Sequence, residues 1–332
     1  MKISVLGAGT WGMALARMLS VNGHDVTVYS SNSKSISQLD KTRRHKNLEG
    51  MIIPDKIVFT DDIKSTCIEK DILVFAVPSV GVRNLAESVK EYIKDNQLIV
   101  DVAKGIETDT LLTMSEVIKD VLKDKNVTVV ALSGPTHAEE VAKDMPTTIV
   151  SACKDLESAK LVQKVFSNDC MRVYTNDDVL GVELCGALKN IIALASGIST
   201  GLGFGDNAKA AIITRGVVEI NRLGLAMGAD KDTFSGLAGI GDLIVTATSM
   251  HSRNNRCGIL IGQGIKASEA IKQVGMVVEG INALPAAIAL SKKYNIEMPI
   301  TNMVNEVVNN NLDPLIAVKN LMNRDMKSEK TA

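Results

Sequence analysis

One cation interrupts an otherwise apolar helical run in the second half of the chain. In Val182-Glu183-Leu184-Cys185-Gly186-Ala187-Leu188-Lys189-Asn190-Ile191-Ile192-Ala193-Leu194-Ala195, the residues one turn either side of Lys189 include Cys185, Ile192 and Ala193. An ammonium on such a face is partly desolvated, which favours its neutral form and lets it trade a proton near neutral pH. The alternative is a lysine that snorkels from the helix edge into water. Asp242 lies in the glycine-rich Gly239-Ile240-Gly241-Asp242-Leu243, with Thr246 four residues on. Its carboxylate can orient Lys189, accept a substrate hydroxyl, or simply cap the helix that begins there. Ser252-Arg253-Asn254-Asn255-Arg256 then opens a further helix. A hydroxyl, a guanidinium, an amide and free N–H groups at one helix start suit a phosphate. His251 beside them has no nucleophile or metal ligand paired with it by sequence, so it is not read as a base.

A second set of candidates stands at the other end of the chain. Gly7-Ala8-Gly9-Thr10-Trp11-Gly12 reads G-x-G-x-x-G, between the apolar run Ile3-Ser4-Val5-Leu6 and a stretch, 13–19, with apolar residues at helical spacing. Gly7 permits a tight turn, Gly9 lets the backbone approach a pyrophosphate, and Gly12 lets the helix pack close to its strand. Free N–H groups at the helix start attract the anion. The next strand-like run, 25–29, ends in Ser30-Ser31-Asn32 with Lys34 beyond. It offers no carboxylate to repel a 2′-phosphate and no arginine to clamp one, so the choice between NADH/NAD and NADPH/NADP stays open. Ser31 is as readily a polar surface residue as a ribose contact. Lys104 follows the run 97–102, where an ammonium could polarise a carbonyl or hold a phosphate; Gly134-Pro135-Thr136 follows the run 127–132 and either borders a ligand or starts a helix.

These residues need elements to hold them. Strand-like runs at 56–59, 71–77, 97–102, 127–132, 147–151 and 171–174 alternate with helical segments at 80–94 and 110–122. From Val179 the apolar spacing is helical almost throughout, with turns at 201–206, 228–230 and 236–241. The expectation is an α/β protein: a Rossmann-like, doubly wound, mostly parallel sheet over residues 1–178, then an all-α substrate domain over 179–332. The two sets of candidates act together only if the Lys189 ammonium of the second domain reaches a dinucleotide held by the first. The polar stretch 323–332 reads as a frayed tail.

Bulk properties exclude other classes. Of 332 residues 45% are hydrophobic and 23% charged, and Lys plus Arg (37) nearly balance Asp plus Glu (38), so no global field draws in nucleic acid or anionic membrane. The five cysteines are odd in number and lack a C-x-x-C pair, which argues against a disulfide framework and a zinc site, and for reduced thiols in the cytoplasm. Lys2 followed by 3–19 superficially resembles a signal peptide, but three glycines and Arg17 interrupt it. No run approaches the about 18 uninterrupted apolar residues of a membrane span; the nearest, 191–203, is rich in Ser, Thr and Gly.

In order, Gly7–Gly12, Ala103-Lys104-Gly105, Gly134-Pro135-Thr136-His137-Ala138-Glu139-Glu140, Leu188-Lys189-Asn190, Gly241-Asp242-Leu243, Ser252-Arg253-Asn254 and Val278-Glu279-Gly280 resemble the signature of bacterial NAD(P)-dependent glycerol-3-phosphate dehydrogenase across nearly the whole chain. The resemblance implies reversible reduction of dihydroxyacetone phosphate to sn-glycerol 3-phosphate, at the head of glycerophospholipid synthesis, by a cytoplasmic homodimer. It implies that Lys189 is the catalytic acid/base, with Lys104, Asn190, Asp242 and Thr246 around the substrate. Gly134 and Thr136 would border that substrate, while Ser252, Arg253 and Asn254 would hold its phosphate. Thr10, Trp11, Ser31, Lys104, Ala138, Arg253, Val277 and Glu279 would join the three glycines around the cofactor. Ser31 and Asn32 stand where the family commonly has arginines, with Lys34, Arg43 and Arg44 as substitutes, and Asn47 falls where it has an aromatic. Two other readings stay open: a related two-domain dehydrogenase of another phosphorylated or acidic hydroxy compound, and a non-catalytic dinucleotide sensor.

Overall fold

The structure is a computed structural model that describes residues 1–326, 328 and 329; of the polar tail expected at 323–332, positions 327, 330, 331 and 332 lie outside the described residues. The chain divides into two compact units. Met1–Lys104 and Leu112–Glu183 form the first, and Gly105–Leu111 with the chain from Leu184 onward forms the second.

The first unit is built on one sheet of eight strands: β1 (Lys2–Leu6), β2 (Asp25–Tyr29), β3 (Val58–Thr60), β4 (Ile72–Phe75), β5 (Leu98–Asp101), β6 (Thr128–Ser133), β7 (Thr147–Ala152) and β8 (Met171–Asn176). They lie in the order β3-β2-β1-β4-β5-β6-β7-β8, and every neighbouring pair is parallel except β6 with β7. The helices are α1 (Thr10–Val21), α2 (Ser33–Thr42), α3 (Val82–Val89), α4 (Met114–Val121), α5 (Ala138–Val141) and α6 (Leu156–Phe166). β4 shows why the sheet is covered on both sides: Ile72 and Val74 enter one apolar core with Met13 and Leu15 of α1, and Leu73 and Phe75 enter another with Val82 of α3 and Val117 of α4. The strand order reverses about β1, which pairs with both β2 and β4, and ligands of such sheets lie beyond the carboxyl ends at that reversal.

The helix expected from residue 110 begins only at Met114, because Thr113 caps it in a reciprocal box with Glu116, whose carboxylate accepts the Thr113 N–H at 2.8 Å. The helix expected at 80–94 is α3 preceded by a tighter turn, Ser79–Gly81.

α7 (Val179–Gly201) begins in the first unit and runs on into the second. It is followed by α8 (Asp206–Met227), α9 (Lys231–Phe234), α10 (Asp242–Thr248), α11 (Arg253–Gly262), α12 (Ala267–Val274), α13 (Glu279–Tyr294), α14 (Pro299–Asn309) and α15 (Pro314–Met322). By length and composition α7 is able to cross a membrane, with mean hydropathy 1.6, yet 94% of its most apolar window is buried inside the protein, as in a core helix. In the second unit it meets α11 backbone to backbone. A Cβ on Gly197 would lie 2.1 Å from the Asn255 carbonyl oxygen, on Gly201 2.2 Å from that of Ile259, and on Gly262 2.2 Å from that of Ile198. Only glycine permits this approach, which fixes the start of α11 against α7.

Candidate active site

The glycine turn is shaped by what its glycines lack. Gly7 has φ of +132°, and a Cβ there would lie 2.3 Å from the Ala76 carbonyl oxygen. A Cβ on Gly12 would lie 2.0 Å from the carbonyl oxygen of Gly7, so this glycine seats the helix on the turn rather than on the strand. Gly9 differs, since a Cβ there would meet nothing within 4 Å. It faces open space at the start of α1, whose first turn has no side-chain cap and no acidic residue. Backbone N–H groups left open beside a bare glycine fit a dinucleotide pyrophosphate. Trp11 and Ala138 pack, partly buried, against the core on that side, and Thr10 Oγ1 accepts a hydrogen bond of 3.2 Å from Asn47 Nδ2.

Ser31 is exposed, and Asn32 caps α2 by accepting the Ser35 N–H at 3.1 Å. Of the three substitute cations, Arg43 is committed to packing: it donates to the Ile57 carbonyl at 2.8 Å and to Asp40 at 2.7 Å, and lies 5.2 Å from the Phe59 ring centre. Lys34 and Arg44 are exposed.

Beyond β5 and β6, two candidate side chains converge on one carbonyl. Lys104 Nζ and Thr136 Oγ1 each donate to the Gly134 oxygen at 3.0 Å. Gly134 holds φ of +152°, and a Cβ on it would lie 3.0 Å from Ile149 Cα, so the turn requires glycine. Behind Lys104 lie two buried carboxyls that the sequence did not single out. Asp101 is pushed well above the usual carboxylate range, first by burial and then by the charge of Glu183. Glu183 is also raised by burial, against the pull of bonds from Ser115 N at 2.7 Å, Ser115 Oγ at 2.6 Å and Thr113 Oγ1 at 2.7 Å.

In the second unit Lys189 does not snorkel: it is 5% exposed, and Asp242 is fully buried. Lys189 Nζ donates to Asp242 Oδ1 and, at 2.7 Å, to Thr246 Oγ1; Thr246 Oγ1 donates in turn to the Asp242 carbonyl at 2.6 Å. The burial implied by the spacing is present, and the carboxylate adds an opposite charge that compensates the ammonium away from water. Asp242 is the first residue of α10, whose cap position is Gly241, and it is delivered by a wide helical turn, Leu237–Gly241, where a glycine-rich turn was expected. Gly241 N bonds the Gly236 oxygen at 3.2 Å, and a Cβ on Gly239 would sit 2.2 Å from the Phe234 carbonyl oxygen.

Asn190 and Asn254, expected around the substrate, bond each other: Asn254 Nδ2 donates to Asn190 Oδ1 at 2.9 Å. The Ser252 hydroxyl oxygen caps α11, accepting the Asn255 N–H at 3.2 Å. Arg253 and Glu279 are the half-buried first residues of α11 and α13, and Val277 precedes α13. Sequence reasoning passed over the glycines that set these helix starts. The signal was available as matched spacings, Gly197-x-x-x-Gly201 and Gly258-x-x-x-Gly262.

Comparison with known proteins bears on the whole chain. Residues 2–159 match the NAD-dependent glycerol-3-phosphate dehydrogenase N-terminus family and residues 178–319 the C-terminus family of the same enzyme. A protein of Lactobacillus delbrueckii subsp. bulgaricus named glycerol-3-phosphate dehydrogenase [NAD(P)+] 2 is 64% identical, covering 99% of each chain. One of Fusobacterium nucleatum, named glycerol-3-phosphate dehydrogenase [NAD(P)+], is 53% identical over 99% of this chain and 98% of its own. Among solved structures, glycerol-3-phosphate dehydrogenase from Coxiella burnetii superimposes with a TM-score of 0.93 at 35% identity, over 97% of this chain and 99% of that one.

Proposed function

This chain belongs to the NAD-dependent glycerol-3-phosphate dehydrogenase family, and we propose that it reduces dihydroxyacetone phosphate reversibly to sn-glycerol 3-phosphate with NADH or NADPH. The observation that carries the catalytic assignment is the buried Lys189 ammonium held by Asp242 and Thr246. Bound NADH or NADPH supplies a hydride to the central carbon of the substrate. Lys189 then gives a proton to the oxygen on that carbon, so that C=O becomes CH–OH; in the reverse direction the neutral amine takes the proton back. Asp242 and Thr246 hold the ammonium in one orientation, so little entropy is lost in aiming it. Lys104 stabilises negative charge on the developing alkoxide, with Gly134 and Thr136 bordering it. Arg253 and Asn254, with the N–H groups that open α11, take the phosphate; Asn190 lines the same substrate.

The glycine turn with Thr10, Trp11, Ser31 and Ala138 receives the dinucleotide, and Val277 and Glu279 close over it. We assign the working form to a cytoplasmic homodimer whose product feeds glycerophospholipid synthesis; the odd number of scattered cysteines, five without a C-x-x-C pair, supports a reducing compartment.

Steady-state kinetics test this reading. Dihydroxyacetone phosphate should drive cofactor oxidation and phosphate-free dihydroxyacetone should be a far poorer substrate. Arg253→Ala should raise KM for the phosphorylated substrate by about 10-fold or more, as loss of a charge-assisted contact does. Equal turnover of the phosphate-free ketone would remove the anion site from the account. A dehydrogenase of another hydroxy acid would leave dihydroxyacetone phosphate unreduced.

A further inference from the structure

The second residue of α13 is a glycine whose backbone conformation is ordinary helix, so no unusual φ requires it. Helical propensity does not favour it either: glycine costs about 1 kcal/mol relative to alanine in a helix interior. Its surroundings do explain it. A Cβ on Gly280 would lie 2.5 Å from the Asn190 carbonyl oxygen, 2.9 Å from the Asn190 carbonyl carbon and 3.1 Å from Asn254 Oδ1. The first two are backbone atoms of α7 and have no rotamer with which to give way. The Gly280 N–H donates to Asn254 Oδ1 at 2.8 Å, Asn254 Nδ2 donates to Asn190 Oδ1 at 2.9 Å, and Asn190 Nδ2 donates to the Gly186 oxygen at 3.1 Å. All three relay residues are buried.

We propose that Gly280 is a positioning residue: its bare Cα and its N–H, relayed through Asn254, lock the start of α13 onto Asn190, the residue next to Lys189. The inference rests on the proposed dehydrogenase reading, in which the three helices so joined carry Lys189, Arg253 and Glu279. One buried carboxamide fixes three helix positions because it has a different partner on each side. A buried amide left without one of those partners costs about 1–3 kcal/mol, so other poses of the three helices are disfavoured. The relay also refines the two asparagines. Their side-chain oxygens each accept from within the protein, so either amide reaches substrate through its remaining N–H capacity.

The test compares Gly280→Ala with Gly228→Ala, a destabilising change elsewhere in the same unit, where φ is +95° and a Cβ would meet nothing within 4 Å. Both should lower Tm. Per folded molecule, only Gly280→Ala should lose kcat, by about 10- to 100-fold, as small misplacements of catalytic groups do. Asn254→Ser breaks the relay without a clash; because Asn254 also takes the substrate phosphate, its hydrogen exchange rather than its kcat decides the matter if Gly280→Ala does not fold. Hydrogen exchange supplies a readout independent of turnover. Peptides spanning 186–194 and 279–283 should exchange faster in Gly280→Ala and Asn254→Ser and unchanged in Gly228→Ala. Wild-type kcat in Gly280→Ala and unchanged exchange in both relay variants would overturn the proposal, as would an equal kcat loss in Gly228→Ala. A wild-type enzyme inert toward dihydroxyacetone phosphate would sink the substrate assignment instead, and the exchange comparison would still judge the relay.

Discussion

In the first unit the surface proposed for the dinucleotide at the glycine turn is mainly backbone, made within six consecutive residues, and its shape follows from the absent Cβ atoms of Gly7 and Gly12. In the second unit the proposed chemistry belongs to side chains, and Lys189 finds its partners 53 and 57 residues away in sequence. The two regions therefore fail differently. A backbone site is all or none, because one methyl group fills the space that defines it. A side-chain site is graded, since each partner supplies part of the orientation and part of the charge compensation. The first kind suits recognition of a group shared by many ligands, and the second suits a proton transfer tuned to one.

The largest expected effect on this contrast is Gly12→Ala. Its Cβ would fall 2.0 Å from the Gly7 oxygen, so the turn must open. Affinity for NADH and NADPH should drop by about 100-fold or more, with about 1–3 kcal/mol of stability lost to overpacking. Titrating the fluorescence of Trp11, the single tryptophan, reads this directly. A Gly12→Ala variant that binds dinucleotide normally would break the all-or-none half of the comparison. Asp242→Asn should come next and act on the other region alone. Turnover should fall by about 100-fold and stability by about 3–5 kcal/mol, because the buried ammonium loses its counter-charge, while the Trp11 titration stays unchanged.

Gly262→Ala sharpens the graded half. It separates α7 from α11 well along both helices from Lys189 and Arg253, and should cost about 1–3 kcal/mol in denaturant unfolding with a modest rise in the KM for dihydroxyacetone phosphate. The smallest effect on activity concerns Glu219, a carboxyl of α8 that accepts from Ile300 N at 2.6 Å and from Thr301 N and Oγ1 at 3.1 Å, at the start of α14. Burial pushes it up to about 7 from an ordinary 4.5. The folded state thus holds this proton more tightly than the unfolded chain. Its contribution is fullest below about pH 4.5 and is lost as pH rises through 7, by on the order of 3 kcal/mol at most. Glu219→Gln should flatten that part of the stability profile between these limits without altering kcat; a profile identical to wild type would show that Glu219 does not set it.

The same contrast explains what was legible in the sequence. The glycine turn, β1 and α1 read correctly because their cause is local: spacing, an apolar run and three missing side chains. The sheet followed for the same reason, with β4 apolar at every position and buried on both faces. Helix starts were less legible where a side chain chose them, as Thr113 and Glu116 did for α4. At Asp242, sequence offered orienting Lys189, accepting a hydroxyl and helix capping, and for the residue taken alone it favoured capping. The answer depended on Gly239 allowing a wide turn against Phe234, a contact that spacing does not reveal. Asn190 and Asn254 were expected near the chemistry from the family resemblance, but their bond to each other and to Gly280 depends on how three helices pack.

Lys189 is the proposed proton donor, and Lys189→Met tests that role most directly, because it keeps the length and apolar stem of the side chain and removes the ammonium. Measured at saturating dihydroxyacetone phosphate and reduced cofactor, kcat should fall by about 1,000-fold, the scale of a lost general acid, with cofactor affinity from Trp11 fluorescence within about 2-fold of wild type. A Lys189→Met variant that folds, binds cofactor and retains kcat within about 10-fold of wild type would contradict it.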